Sequence, residues 1–391
     1  MTTHMHPGLH NGPIYLDFNA TTPVDPAVVE AMLPYLSLHF GNPSSSHNYG
    51  QKAHAAVEKA RSQVANLLGC APDEITFTGG GSESDNLAIR GIALARRKQG
   101  NHIITQVTEH PAVLNTCRSL ERLHGFRVSY LPVDKYGQVK TADVETTIDG
   151  STVLITIMHA NNETGTLQPL KEIAQIARRH GVLLHTDAAQ SVGKIPTRID
   201  ELGVDLLTIA GHKLYAPKGI GALYIRRGLQ LEPVIYGGGQ ESGRRAGTEN
   251  VAYMVGLGTA CSLAQEQLTG SQARLRRLRD RLQRELESRL PGRTHLNGHA
   301  TERLPNTLNI SVDDVVGEDV LAATPEIASS TGSACHEGNT DPSPVLMAMG
   351  QSRERALGAL RLTLGRWSTE DEVEQAARLL ATTIDSLSRK Q

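Results

Sequence analysis

Cysteine is scarce in this chain, with four residues among 391. So sparse a supply excludes a disulfide-stapled secreted scaffold. Charge of one sign is also lacking. The 39 basic and 41 acidic side chains leave a formal net charge of −2, which argues against a dedicated nucleic-acid or membrane-surface binder. No run approaches 18 apolar residues, so no membrane-spanning helix is expected. The opening MTTHMHPGLHNGP has no apolar core of signal-peptide length, and its His4, His6 and His10 read as a frayed polar tail rather than metal ligands. The expected location is therefore the cytoplasm. Hydrophobic residues at 39% still suffice to exclude disorder.

Aromatics are few, at 4%, but glycine is plentiful at 37 residues. From about residue 74 to 225, β-rich runs alternate with helix-length segments. The runs are 74–77, 102–107, 127–133, 152–158, 182–187, 204–210 and 221–225, with helical patterns over 83–98, 112–124 and 170–180 between them. That alternation predicts an α/β fold, with a mainly parallel sheet covered on both faces. A long helical stretch over 248–290 carries Leu275, Leu278, Leu282, Leu286 and Leu290 on one face. Its seven Arg between 274 and 289 are interleaved with Asp280, Glu285 and Glu287, the pattern of a solvated amphipathic face. Pro291-Gly292 ends it. A smaller α+β unit is expected beyond, with strands near 308–312 and 360–364 and helices near 318–323 and 370–387. The expected division is a large domain over 15–260 and a small one over 261–391. The N-terminal 40 residues or so are expected to pack with the small unit.

Three segments suggest chemistry. Gly79-Gly80-Gly81-Ser82 follows a strand and opens a helix, a place where free backbone N–H groups meet an anion. It lacks the Lys of a Walker loop and the GxGxxG spacing, so a plain tight turn remains the alternative. Asp187 ends a buried strand, where α/β folds hold ligands; a helix cap is the alternative. Lys213 lies just past another buried strand, where desolvation would depress its pKa toward that of a Schiff-base lysine. A phosphate turn, a carboxylate for a pyridinium nitrogen and such a Lys together match the needs of pyridoxal phosphate. Of the cysteines, Cys70, Cys117 and Cys261 read as packing residues. Cys335 lies in a polar segment, 329–342, predicted to be a loop and hence a candidate for a nucleophilic thiol. Cys335-His336 without a CxxC pair does not make a metal site.

Taken in order, YLDFNATTPVDP, FGNPSSSH, SESDNLAIRG, TEHPAVL, IMHANNETG, HTDAAQSVGK, GHKLYAPKGIGALYIRRG, GGGQESGRRAGTEN, SSTGSAC and LRLTLGRW resemble the cysteine desulfurases of the class V, aspartate-aminotransferase-like group of pyridoxal-phosphate enzymes. The likeness runs from Tyr15 to the last helix. It implies a large domain with a seven-stranded, mainly parallel sheet between helices, a smaller α+β domain, and a homodimer. By resemblance Lys213 is the Schiff-base lysine, Asp187 holds the pyridinium nitrogen, and His110 stacks on the ring and serves as acid–base. Gln190 and Asn162 reach the phenolic oxygen side, Asn162 also facing substrate. Gly81, Ser82 and His212 bind phosphate, joined by Thr248 from the other subunit. Arg361 pairs with the substrate carboxylate. Cys335 accepts sulfur from L-cysteine as a persulfide, L-alanine is released, and the sulfur passes to an acceptor protein for iron–sulfur cluster or thio-cofactor biosynthesis.

Three departures bear on that reading. Ala210 stands where bacterial members commonly carry a phosphate-binding Ser. CHEGNTDPSPVL resembles selenocysteine lyases as much as housekeeping desulfurases, although Pro111 stands where the mammalian lyases have an acidic residue. The sequence stops soon after the last helix, so the tail that docks an iron–sulfur scaffold is not expected. Selenocysteine lyase is the alternative activity. An aminotransferase and a catalytically silent scaffold are less compatible with Cys335, Lys213, Asp187 and His110 together.

Overall fold

The computed structural model describes residues 6–332 and 341–389. Its strands in chain order are β1 (Ile14–Tyr15), β2 (Ile75–Thr78), β3 (His102–Gln106), β4 (Arg127–Leu131), β5 (Thr152–Thr156), β6 (Leu183–Asp187), β7 (Leu206–Ala210), β8 (Gly221–Ile225), β9 (Thr294–Leu296), β10 (Thr307–Val312), β11 (Ile327–Ala328) and β12 (Ala359–Thr363). Seven of them form one sheet in the order β2-β8-β7-β6-β5-β3-β4. All pairings from β7 to β4 are parallel, and only β8 runs antiparallel to its neighbours. The mainly parallel seven-stranded sheet is as expected, and each run lies within two residues of its observed ends.

The continuous apolar runs follow from burial on both faces. Alternate side chains point to opposite sides of a strand. Ile104, Ile155, Leu184 and Leu207 thus enter one apolar layer, while Ile103, Leu154, Leu183 and Leu206 enter the other. Helix Gly81–Ala95 covers the second layer with Leu87, Ile89 and Ile92. Helix Leu170–His180 covers the first with Leu170, Ile173 and Ile176, and ends on Gly181 in the left-handed region. A 21-residue helix, Asn48–Leu68, was not anticipated. Its inner face is Ala53, Ala56, Val57, Ala60 and Val64, mostly alanine, and so gives a faint hydrophobic period.

The smaller unit is a three-stranded antiparallel sheet, β12-β10-β9, beside the parallel pair β1-β11. Helix Val251–Arg289 serves both units. Its Leu257 and Cys261 belong to the large core, whereas Leu275, Leu278, Leu282 and Leu286 pack with helix Glu370–Ser388 over the small sheet. Of the first 40 residues, Leu16 packs in the small unit's core, but Val28 and Met32 of helix Pro26–Ser37 join the large one. His6 departs from the frayed-tail expectation: its Nε2 lies 2.9 Å from the Val24 carbonyl, and its ring sits 4.7 Å from that of Trp367. Among the described residues no helix is long and apolar enough to cross a membrane.

Candidate active site

The C-terminal ends of β5, β6 and β7, with the segments that follow β1, β2 and β3, enclose a cavity of about 220 Å³. This is where open parallel sheets hold ligands. Gly81, Ser82, His110, Asn162, Asp187, Gln190, His212, Lys213 and Arg361 all line it. Nine of the residues singled out in sequence are therefore brought together. Thr248 is exposed and does not line the cavity of its own chain. Cys335 lies outside the described residues. Cys117 and Cys261 are buried and Cys70 half-buried, as their packing role predicts.

The anion end is built by β2 and the helix it feeds. Gly80 has φ 144°, a conformation that glycine adopts without strain. Thr78 Oγ1 donates to the Gly80 carbonyl at 3.1 Å and lies 2.7 Å from Ser84 Oγ, which fixes the turn. The first N–H groups of the helix then have no partner within it. A Cβ on Gly81 would come 3.1 Å from that of Ala210, so the cavity floor exists because both residues are small. His212 adds a ring whose pKa burial pushes down to about 4, with Lys213 adding repulsion. It is neutral at pH 7 and can donate an N–H; its Nδ1 lies 3.2 Å from Thr21 Oγ1.

At the opposite end Asp187 accepts from Ala189 N at 2.9 Å through Oδ1. Burial raises its pKa, against the pull of that N–H, His110 and Lys213. A cationic ring nitrogen would supply the counter-charge that burial denies it. His110 caps helix Pro111–His124, accepting from Ala112 N at 3.1 Å through Nδ1. Because Nδ1 accepts that N–H, the ring's proton lies on Nε2; desolvation by the surrounding cavity lowers its pKa, with Asp187 opposing.

Lys213 Nζ donates to the main-chain oxygens of Asn19 and Ala20, both at 2.6 Å. Desolvation, then repulsion from Arg361, lowers its pKa to about 8. Arg361, on β12, reaches in from the small unit. Its Nη2 donates to Asp17 Oδ1 at 2.8 Å and its Nη1 to the Asn162 carbonyl at 3.3 Å, while the buried Nε has no partner. A guanidinium with donors left over is suited to a carboxylate.

Sequence reasoning missed the residues that hold these groups. Asn19 is a hub: its carbonyl accepts from Lys213 and from Gln190 Nε2 (2.9 Å), and its Oδ1 from Lys194 and Asn306. Glu109 is buried with Oε1 bonded to Met158 N and Gln106 Nε2, and its pKa rises to about 8 through desolvation. Asp85 is buried at the cavity wall, with Oδ1 lacking a hydrogen-bond partner and 3.8 Å from His185 Nε2, and its pKa is raised by desolvation and by Asp187. The available signal was positional: each stands inside or beside a motif already picked out, YLDFNATTPVDP, SESDNLAIRG or TEHPAVL.

A small-floored cradle of free N–H groups, a buried carboxylate and a low-pKa lysine around one cavity define a site of the kind used by amino-acid-transforming pyridoxal-phosphate enzymes. Residues 14–376 match the family model described as Aminotransferase class-V, and the chain belongs to that family. It is 48% identical over 379 residues to a protein named cysteine desulfurase IscS from Methanosarcina thermophila, covering 96% of this chain and 93% of that one. A protein of the same name from Dictyoglomus turgidum is 47% identical over 376 residues, covering 96% and 95%. Among solved structures, a NifS-like protein superposes with a TM-score of 0.90 at 38% identity, covering 96% of this chain and all of the other. A structure titled SspA in complex with cysteine gives 0.80 at 39%, covering 91% and 99%.

Proposed function

We propose that this chain is a pyridoxal-phosphate-dependent cysteine desulfurase that converts L-cysteine to L-alanine and takes the sulfur onto Cys335. The observation that carries the reading is that Asp187, Lys213, His110, the Gly81–Ser82 turn and Arg361 face one cavity. The relatives' names favour cysteine over selenocysteine as substrate.

The residues fit the cofactor. Gly81, Ser82 and neutral His212 would hold its phosphate, with Thr248 of a second copy, since this chain's own Thr248 lies outside the cavity. Asp187 would pair with the ring nitrogen, His110 would lie against the ring, Gln190 and Asn162 would meet its oxygen side, and Lys213 would carry the covalent link. Bound there, pyridoxal phosphate supplies an electron sink for an amino acid's α-carbon.

The chain's own groups do the rest. Arg361 binds the substrate carboxylate with its free donors. With a pKa of about 8, Lys213 has a usable fraction of neutral Nζ near pH 7 to take the Cα proton and return one. The Cys335 thiolate attacks the substrate sulfur. A Cys335 S–S bond forms, the substrate Cβ–S bond breaks with its electron pair left on carbon, and protonation gives alanine. The persulfide then passes to an acceptor protein. A cytoplasmic homodimer, divided into the large and small domains expected from sequence, completes the reading. The exposed Leu33, Leu36, Leu38, Phe40 and Tyr49 offer an apolar face for the second copy.

Cys335→Ala tests it. Sulfide release from L-cysteine in the presence of a thiol reductant should fall at least about a hundredfold, while the visible absorbance of bound cofactor is retained. Undiminished turnover would remove Cys335 from the mechanism.

A further inference from the structure

One charged group at the site has no part in the reaction described above. Lys194 is 8% exposed. Its Nζ donates to Gln190 Oε1 at 2.9 Å and to Asn19 Oδ1 at 3.2 Å. Among the described residues no carboxylate pairs with it. Burial, with repulsion from Lys213 and Arg361, lowers its pKa to about 7. A buried amine without a counter-ion is costly to keep, and an apolar residue would serve packing better. The chain holds it in place by a tight turn: Gly193 has φ +75°, and a Cβ there would overlap Leu214 Cδ1 at 2.1 Å.

One of its acceptors, Asn19, also holds Lys213, and the other, Gln190, lines the same cavity. Gln190 Nε2 donates to the Asn19 carbonyl, the same oxygen that receives Lys213 Nζ. Lysine offers donors at Oε1 and a carbonyl offers only an acceptor at Nε2, so both ends of the Gln190 amide are specified. One N–H of Nε2 then has no protein acceptor among the described residues and is left for a ligand in the cavity that Gln190 lines.

We propose that Lys194 is a positioning residue of the cofactor site: by bridging Gln190 and Asn19 it fixes the amide of the one and the carbonyl of the other, and through them the placement of Lys213. The proposal deepens the reading of this cavity as a pyridoxal-phosphate site and rests on it for the cofactor measurements alone.

The test uses full-length protein with Lys194→Met, which keeps length and removes the donors. In apoenzyme, the pH midpoint for labelling Lys213 with a small amine-reactive reagent, read by mass spectrometry, should fall by about half a unit or more. The ammonium form of Lys213 would lose a well-placed acceptor at Asn19, while Arg361, Asp17 and Asp187 still face it. An unchanged midpoint overturns the proposal whether or not cofactor binds. In the holoenzyme, pyridoxal phosphate should dissociate about tenfold more readily from Lys194→Met than from wild type, a loss of about 1.4 kcal/mol. In a Gln190→Leu background the same substitution should cost less than about threefold, because the bridge is already broken and only the contact to Asn19 Oδ1 remains to be lost. Full additivity overturns the proposal. Should Lys194→Met not fold, Gln190→Glu keeps an oxygen toward Lys194 and puts a second one against the Asn19 carbonyl. It should weaken cofactor binding about tenfold, and wild-type affinity there is equally fatal. A labelling shift in a protein whose wild type develops no visible band with pyridoxal phosphate would sink the cofactor reading and leave the placement of Lys213 standing.

Discussion

The molecule gathers charge in two places, and they behave in opposite ways. Along helices Val251–Arg289 and Glu370–Ser388, Arg277 and Arg281 meet Glu370 and Glu374 at 2.8 to 3.4 Å. These side chains are a third to two-thirds exposed. Around the cavity, Asp85, Glu109, Asp187 and Lys194 carry the same charge types but are buried, Lys213 is half-buried, and every one of them is shifted. Each shift has desolvation as its first cause, and partners come second. Water, not the neighbour, decides which charges become reagents. The helix face holds two helices of the small unit together without stored electrostatic energy; the cavity stores it in groups largely withdrawn from solvent.

That contrast can be broken at three levels. Lys213→Ala should act hardest, lowering turnover by about a thousandfold or more while the unfolding midpoint changes little, measured by steady-state kinetics beside thermal denaturation. Retained turnover would mean that burial had not made a reagent of this amine. Glu109→Gln tests the buried acids. Folded Glu109 has its pKa raised to about 8, so it binds a proton that the unfolded chain releases near pH 4.3. The wild type's advantage is thus fully present below about pH 4 and is lost as pH rises toward 8. Relative to wild type the Gln variant should gain roughly 1 kcal/mol or more between pH 5 and pH 8 in urea unfolding. A pH-independent difference would show the carboxyl to be ionised throughout. Arg281→Ala should be the mildest, costing less than about 1 kcal/mol, with the cost shrinking further in salt. A larger loss would erase the distinction between the two regions.

Much of the sheet was legible because burial on both faces leaves an uninterrupted apolar signature, as in Leu154–Ile155 and Leu206–Leu207. Helix Asn48–Leu68 was not, because alanine packs closely without announcing a hydrophobic stripe. At the site, the nine residues in the cavity were legible as motif members, each with a side chain suited to its chemistry. Asn19 was not, because half of its role is played by a main-chain oxygen that any residue carries. Lys194 and Asp85 were hidden for another reason. Their meaning comes from burial beside particular partners, and neither burial nor partnership is written in residue type. Lys194 stood in plain sight at the end of HTDAAQSVGK.

The hub at Asn19 has a consequence for synthesis. Its main-chain N–H donates to Thr363 Oγ1, Asp17 holds Arg361, and β1 is paired by β11. The earliest segment of the cavity wall is therefore fastened by residues made some 340 positions later. A growing chain can assemble the large sheet and expose Lys213 long before that, but the wall around it closes only once β12 has been made. The carbonyls that receive Lys213 Nζ are thus fixed from the far end of the sequence, and the order of synthesis puts the lysine before the residues that fasten its wall.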